Sequence, residues 1–324
     1  MKLLVTGGAG YIGSIVAWQL AQAGHEVVVL DNLERGHREA VPKEARLVVA
    51  DLRESAAVAA VVSEGFDGVL HFAALALVGE SVTHPERYYR TNVTGTLNLL
   101  DAMRAAEVPR LVFSSTCAVY GEPDVVPIAE TAPPRPSNPY GSSKLTVDRM
   151  ISDECRAHGL GAVSLRYFNV AGASGGRGED HEPETHLIPN VLRAAQGVNP
   201  FVEIFGTDYP TPDGTAVRDY IHIDDLSAAH LLALDDARGG EHRIFNLGNG
   251  SGFSVREVIA AAERVTGRSI PTREAPRRPG DPPQLVSASD RIRRELGWVP
   301  RKPELAGMIA DAWDFAQARP RGYL

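Results

Sequence analysis

The chain has 324 residues, 44% hydrophobic and 23% charged, an ordinary globular composition. Its net charge of −8 and isoelectric point near 5.7 argue against a nucleic-acid surface, because gripping phosphate backbones needs clustered Lys and Arg. Two cysteines, Cys117 and Cys155, make neither a disulfide framework nor a metal-ligand cluster, so no metal is expected. The longest apolar stretch, residues 69–78, falls far below the ~20 residues of a membrane span. Met1-Lys2 leads directly into a strand, leaving no room for a signal peptide. A cytoplasmic chain with reduced thiols and no membrane contact is expected.

In chain order, short runs rich in Val, Leu and aromatics predict strands over residues 2–6, 26–30, 47–50, 68–72, 110–114 and 163–167. Helical patterns fall between them, over 11–23, 55–62, 88–106 and 140–158. Such alternation predicts an α/β fold, a Rossmann-type doubly wound parallel sheet with helices on both faces. Burial of a strand on both sides suits the unbroken Val27-Val28-Val29-Leu30 run.

After Asn169 the rhythm breaks. Residues 171–184, rich in Gly and acid, read as loop. Then come a helix over 187–196, strands near 202–205 and 217–223, a helix over 224–236 and a strand over 244–247. Ser254-Val255-Arg256-Glu257 is a capping-box signature opening a helix to Thr266. Five prolines within 271–283 predict irregular chain, and Pro303 is expected to start the last helix.

Thr6-Gly7-Gly8-Ala9-Gly10-Tyr11-Ile12-Gly13 follows the first strand and opens the first helix. Glycine there lets the chain turn, a pyrophosphate approach bare backbone, and the helix pack close to the strand. The helix start supplies unpaired N–H groups and positive dipole to phosphate. Asp31 ends the second strand, 18 residues past Gly13. A carboxylate there accepts ribose hydroxyls and repels a 2′-phosphate, favouring NAD over NADP. Asp51-Leu52 closes the third strand at the same sheet edge, where an Asp meets the adenine amino group or simply ends a turn.

Tyr140 and Lys144 stand four residues apart, hence on one helix face, with Asn138-Pro139 placed to start that helix. A free phenol titrates near ~10, and a neighbouring ammonium or a positive nicotinamide ring lowers it. Tyr140 is thus expected to take a proton from a sugar hydroxyl as hydride leaves its carbon. Thr116, in the hydroxyl run Ser114-Ser115-Thr116, sits where open α/β sheets bind ligands. A loop satisfying its own backbone is the alternative reading of that run.

With these motifs the chain resembles the UDP-glucose 4-epimerases, within the extended short-chain dehydrogenase/reductase family, over nearly its whole length. The segments that carry the resemblance are Asp31-Asn32-Leu33, His71-Phe72-Ala73-Ala74, Asn92-Val93-Thr94-Gly95-Thr96, Tyr140-Gly141-Ser142-Ser143-Lys144 and Arg166-Tyr167-Phe168-Asn169. Further on come Ile204-Phe205-Gly206, Tyr209-Pro210-Thr211, Val217-Arg218-Asp219-Tyr220-Ile221-His222 and Arg277-Arg278-Pro279-Gly280-Asp281.

The resemblance implies reversible 4-epimerisation of UDP-glucose and UDP-galactose through a transient 4-keto sugar and enzyme-bound NADH. It implies NAD against Gly7, Gly10, Tyr11, Ile12, Gly13, Asp31, Asn32, Asp51, Leu52, Phe72, Ala73, Ala74, Asn92, Tyr140, Lys144 and Phe168. Thr116, Tyr140 and Lys144 are the implied catalytic group, the first two touching the C4 hydroxyl. Asn169, His186, Leu187, Phe205, Arg218, Tyr220, Arg278 and Asp281 are the implied holders of UDP and sugar, the arginines suiting a diphosphate because they stay charged and bind oxygens in pairs. An NAD-binding Rossmann domain of 1–170 plus about 222–251 is implied, with a smaller mixed α/β C-terminal UDP-sugar domain of about 171–221 plus 252–324. A homodimer is implied too, paired through the helices after Asn92 and at Tyr140.

Three departures from the family pattern stand out. Thr116 replaces the usual serine, Ala76 replaces a lysine near the nicotinamide ribose, and Leu285 occupies a pocket-wall position that is often tyrosine. Ala76 suggests looser NAD retention; Leu285 leaves UDP-GlcNAc/UDP-GalNAc 4-epimerisation open. A nucleotide-sugar dehydratase needs an acid–base pair after the active-site Thr, where this chain has Cys117-Ala118. A UDP-glucuronate epimerase or decarboxylase is not separated by the residues alone.

Overall fold

The computed structural model describes residues 1–278 and 280–323. Pro279, part of one of the segments above, lies outside the described residues. The first strands are β1 (Lys2–Thr6), β2 (Glu26–Asp31), β3 (Arg46–Val49), β4 (Gly68–His71), β5 (Arg110–Thr116) and β6 (Gly161–Tyr167). Then come β7 (Asn169–Ala171), β8 (Val202–Phe205), β9 (Val217–His222), β10 (His242–Leu247), β11 (Gly252–Ser254), β12 (Thr272–Ala275) and β13 (Gln284–Leu285).

Seven strands form one parallel sheet in the order β10-β6-β5-β4-β1-β2-β3. The continuous apolar runs divide between its two faces. Leu3, Val5, Val27 and Val29 pack with residues of the helices Tyr11–Gln22 and Ile223–Asp236. Leu4, Val28 and Leu30 pack with Val58, Leu99 and Met103 from the helices Ser55–Val62 and Gly95–Ala105. Alternate residues feed opposite cores, so the middle positions of these strands are apolar on both faces. The chain winds outward from β1 to β3 and then returns to β4 on the other side of β1. That reversal opens a crevice at the carboxyl ends of β1 and β4.

A third core joins Ile188, Val191, Ile204, Val258, Met308 and Trp313. Beside it lies a small sheet in the order β11-β9-β13, with β7 also paired to β9. β8 and β12 make a separate parallel pair.

Several expectations need correction. Residues 88–106 are not one α-helix: a short helix Pro85–Tyr88 passes through a π-helical segment Tyr89–Thr94 into the helix Gly95–Ala105. The cause is tertiary, because the buried Asn92 amide binds the Leu75 backbone and Ser143 from inside that segment. Residues 271–283 are not wholly irregular, since Thr272–Ala275 forms β12 against β8. The last helix is Leu305–Ala318, preceded by Glu304 and not opened by Pro303. Asp31 ends β2, as expected. The capping box at Ser254 and Glu257 forms as expected.

Candidate active site

A single cleft of about 1550 Å³ runs along the carboxyl ends of β1, β2, β4 and β5 and across to the small sheet. Its walls include Gly7, Gly10, Tyr11, Ile12, Gly13, Asp31, Asn32, Asp51, Leu52, Phe72, Ala73 and Ala74 on one side. Thr116, Tyr140, Lys144 and Phe168 lie in the middle, and Asn169, His186, Leu187, Phe205, Arg218, Tyr220, Arg278 and Asp281 on the other side. Ala76 and Leu285 line it as well.

The glycine turn fits a pyrophosphate by its geometry. Gly7 has φ +72, and a Cβ there would stand 2.5 Å from the Ala73 nitrogen. A Cβ on Gly13 would stand 2.2 Å from the Gly7 carbonyl oxygen. The helix Tyr11–Gln22 has Gly10 at its N-cap with no side-chain cap, so its first N–H groups remain available to an anion. Asp31 accepts hydrogen bonds from the Ala9 N–H (3.0 Å) and the Leu33 N–H (2.9 Å), which fixes the carboxylate at the cleft wall. Burial raises its pKa from the ordinary value, against those two backbone bonds. Asp51 accepts from Asn32 (2.9 Å) and from the Arg53 side chain, and the Arg53 bond holds it well below the usual carboxylate range. It therefore enters the cleft already paired.

The Tyr140 helix, Pro139–His158, starts where Asn138 accepts a hydrogen bond from the Gly141 N–H at 2.9 Å. Lys144 is 3% exposed. Its Nζ donates to the Ser114 carbonyl (2.7 Å) and sits 4.7 Å from the Phe113 ring centroid. Burial brings Lys144 down to about 7, opposed by Asp148.

The protein's own groups act on the Tyr140 phenol in opposite directions. Burial pushes Tyr140 up to about 12, against a Thr116 hydrogen bond that favours the phenolate. The reason is solvation: the phenol leaves water, and the Lys144 Nζ is turned to the Ser114 carbonyl. Asn92 is buried and its amide is held within the fold. Its Oδ1 accepts from the Leu75 N–H (2.8 Å), and its Nδ2 donates to the Leu75 carbonyl (3.0 Å) and Ser143 Oγ (3.0 Å). Ser143 Oγ donates in turn to the Tyr140 carbonyl (2.7 Å), so Asn92 braces the turn that carries Tyr140.

The opposite wall follows from strand register. β9 places Arg218 and Tyr220 two residues apart, on one face of the strand. Asn169 of β7 pairs with Tyr220, and Leu285 of β13 pairs with Arg218. Arg218 forms an ion pair with Asp281. The Arg278 guanidinium lies 3.9 Å from the Phe205 ring centroid, a flat cationic and aromatic surface. His186 Nδ1 lies 2.7 Å from Glu179 and 3.1 Å from Glu184.

Some residues of the cleft were not singled out from sequence. The role of the Ser114 carbonyl is one such feature, since Ser114 was read only for its hydroxyl. Glu179, His181 and Glu184 sit within or at the edge of the stretch read only as loop, although the spacing Glu179-x-His181-x-x-Glu184-x-His186 was a readable signal.

Residues 3–248 match the model of the NAD dependent epimerase/dehydratase family. The chain is 56% identical to the UDP-glucose 4-epimerase of Corynebacterium glutamicum, covering 98% of this chain and 96% of that one. A crystal structure of a UDP-glucose 4-epimerase superposes with a TM-score of 0.97 at 46% identity, covering 100% of both chains. That of Bifidobacterium longum UDP-glucose 4-epimerase, in complex with NAD+ and UDP, gives a TM-score of 0.94 at 37% identity, covering 99% of this chain and 100% of that one.

Proposed function

The chain belongs to the NAD dependent epimerase/dehydratase family, and from that premise we propose that it interconverts UDP-glucose and UDP-galactose by inverting C4 of the sugar. One observation supports this above the others. Thr116, Tyr140 and Lys144 meet in the same cleft as the glycine turn and Asp31 on one side and Arg218 and Arg278 on the other.

In this reading the N–H groups opening the helix Tyr11–Gln22 hold the NAD pyrophosphate, and Asp31 accepts the adenosine ribose hydroxyls. Bound NAD supplies reversible acceptance of a hydride from the sugar carbon. Thr116 and Tyr140 hold the C4 hydroxyl, and Tyr140 removes its proton and later returns it. A phenol at about 12 is a poor base at neutral pH, so cationic charge must develop beside it. A cationic Lys144, whose Nζ donates to the Ser114 carbonyl, and the positive nicotinamide ring of bound NAD would favour the phenolate. Arg218 and Arg278 grip the diphosphate while the 4-keto sugar turns about its phosphate link and presents its other face.

Elimination of water is disfavoured. Burial pushes the Cys117 thiol up to about 12, and Ala118 carries no proton, so no acid–base pair follows Thr116. Leu285 gives one reason for a second substrate: a mid-sized side chain in the cleft wall leaves room to test UDP-GlcNAc. The proposal includes the two domains set out from the sequence, supported by the separate core around Ile188, Val258 and Met308, while Ile292 and Trp298 of the second domain pack into the core of the main sheet. It also includes a cytoplasmic homodimer paired through the helices Gly95–Ala105 and Pro139–His158, near which Tyr89 and Leu97 stay 43% and 45% exposed. Among the described residues no helix is long and apolar enough to cross a membrane.

The test is incubation of purified protein with UDP-galactose and chromatographic separation of the products. UDP-glucose should accumulate to a fixed ratio, and its absence would refute the proposal.

A further inference from the structure

Glu179, His181, Glu184 and His186 each offer one ligand atom, and the four atoms all lie within 4.8 Å of one another. They come from eight consecutive residues, Glu179 to His186, that lead into the helix Leu187–Ala195. His181 Nδ1 and His186 Nδ1 point at the same Glu179 oxygen, at 3.1 and 2.7 Å, and Glu184 Oε1 lies 3.1 Å from His186 Nδ1. Ligand atoms about 2.0–2.1 Å from a tetrahedral ion stand roughly 3.3 Å apart, so an ion would spread the closest of these atoms and draw the farthest together.

Two observations set the cluster apart from a set of ordinary ion pairs. The His181 Nδ1 atom is buried and finds no hydrogen-bond partner among the described residues. It faces a carboxylate oxygen without the alignment of a hydrogen bond, as two ligands of one shared ion do. The Glu179 and Glu184 side chains are only 10% and 1% exposed, yet neither has a Lys or Arg partner among the described residues. The nearby guanidiniums of Arg35 and Arg193 go to the backbone carbonyls of Glu182 and His181. Two carboxylates withdrawn from water call for positive charge between them, which the two imidazoles supply when protonated and which a cation supplies once it displaces those protons.

We propose that these four side chains bind one divalent transition-metal ion of the zinc class. Two imidazoles with two carboxylates suit Zn²⁺ by ligand type, and four protein ligands close the site, which makes the ion structural and not catalytic. Outer contacts hold the ligands in place. Glu184 Oε1 accepts from the Thr185 and His186 N–H groups (2.7 and 2.8 Å), and Asn190 Nδ2 donates to the His186 carbonyl (2.9 Å). The ion ties the loop to the helix that begins at Leu187 and so fixes the cleft wall formed by His186 and Leu187. Binding through Nδ1 leaves the Nε2 edge of His186 for the cleft.

The test uses the full chain without a histidine tag, stripped with EDTA, dialysed against micromolar Zn²⁺ and analysed by inductively coupled plasma mass spectrometry. The wild-type chain should hold about one Zn²⁺, and His181→Ala and the near-isosteric Glu184→Gln should each lower occupancy at least about tenfold. Co²⁺ in the wild-type chain should give the intense visible bands of a tetrahedral site. A substoichiometric wild-type chain, full occupancy in both variants, or the weak spectrum of hydrated Co²⁺ would each overturn the proposal. No UDP-sugar or NAD enters the test, so its failure leaves the epimerase reading standing.

Discussion

Gly7→Ala probes the close approach on which the dinucleotide side of the cleft depends. The new Cβ would stand 2.5 Å from the Ala73 nitrogen, 2.8 Å from Ala73 Cα and 2.8 Å from the Phe72 carbonyl carbon. All three are backbone atoms, so no rotamer change relieves the overlap. A left-handed conformation costs an L-residue about 1–2 kcal/mol, and forcing a methyl into a packed contact adds about 1–3 kcal/mol. Gly7→Ala should therefore lose about 2–5 kcal/mol of stability. Gly24→Ala separates the two contributions, because Gly24 has φ +84 and nothing within 4 Å of a built Cβ. It should lose only the conformational part, about 1–2 kcal/mol. Urea denaturation measures both losses in one buffer, and calorimetric titration measures NAD affinity. Gly7→Ala should weaken NAD at least about tenfold, a difference of 1.4 kcal/mol, while Gly24→Ala leaves it unchanged. Equal stability losses and equal NAD affinities for the two variants would refute the argument.

Tyr140→Phe should lower kcat about 100- to 10,000-fold while NAD stays bound, checked by steady-state kinetics and cofactor titration. Asn92→Leu strands the buried Leu75 N–H and carbonyl, which should cost about 2–5 kcal/mol in urea denaturation and lower kcat by loosening the Ser143 and Tyr140 turn. Burial lowers His230 to about 4 in the folded chain, while in the unfolded chain it titrates near ~6.5. Its neutral form thus contributes stability above pH ~6.5 that is lost as pH falls towards 4, on the order of 3 kcal/mol by about pH 4.5. His230→Phe should flatten the fall in unfolding free energy between pH 7 and 4.5, and an unchanged slope would exclude His230 as its source. In the Leu285→Tyr variant, turnover of UDP-GlcNAc should drop relative to UDP-galactose if Leu285 is the wall that admits the acetamido group.

The main sheet was legible because burial on both faces writes strands as unbroken apolar runs. Val27-Val28-Val29-Leu30 is such a run, and its residues alternate between two cores. β12 was not legible, since Thr272-Arg273-Glu274-Ala275 has no apolar pattern and becomes a strand only by pairing with the distant β8. The π-helical segment escaped for a similar reason, because Leu75 and Ser143, not its own residues, hold Asn92 in place. Within the cleft, spacing alone put Tyr140 and Lys144 on one helix face. It carried no information about solvation, which sets both pKa values, or about the Ser114 carbonyl that takes the lysine. The register of β7, β9 and β13 gathers Asn169, Arg218, Tyr220 and Leu285 from positions far apart in the chain.

The most direct measurement follows the hydrogen on the sugar's C4. UDP-galactose deuterated at C4, turned over in ordinary water with excess unlabelled NAD, should yield UDP-glucose that keeps deuterium at C4 by mass and proton NMR. UDP-glucose carrying protium at C4 would contradict removal and return of the same hydride within one cleft.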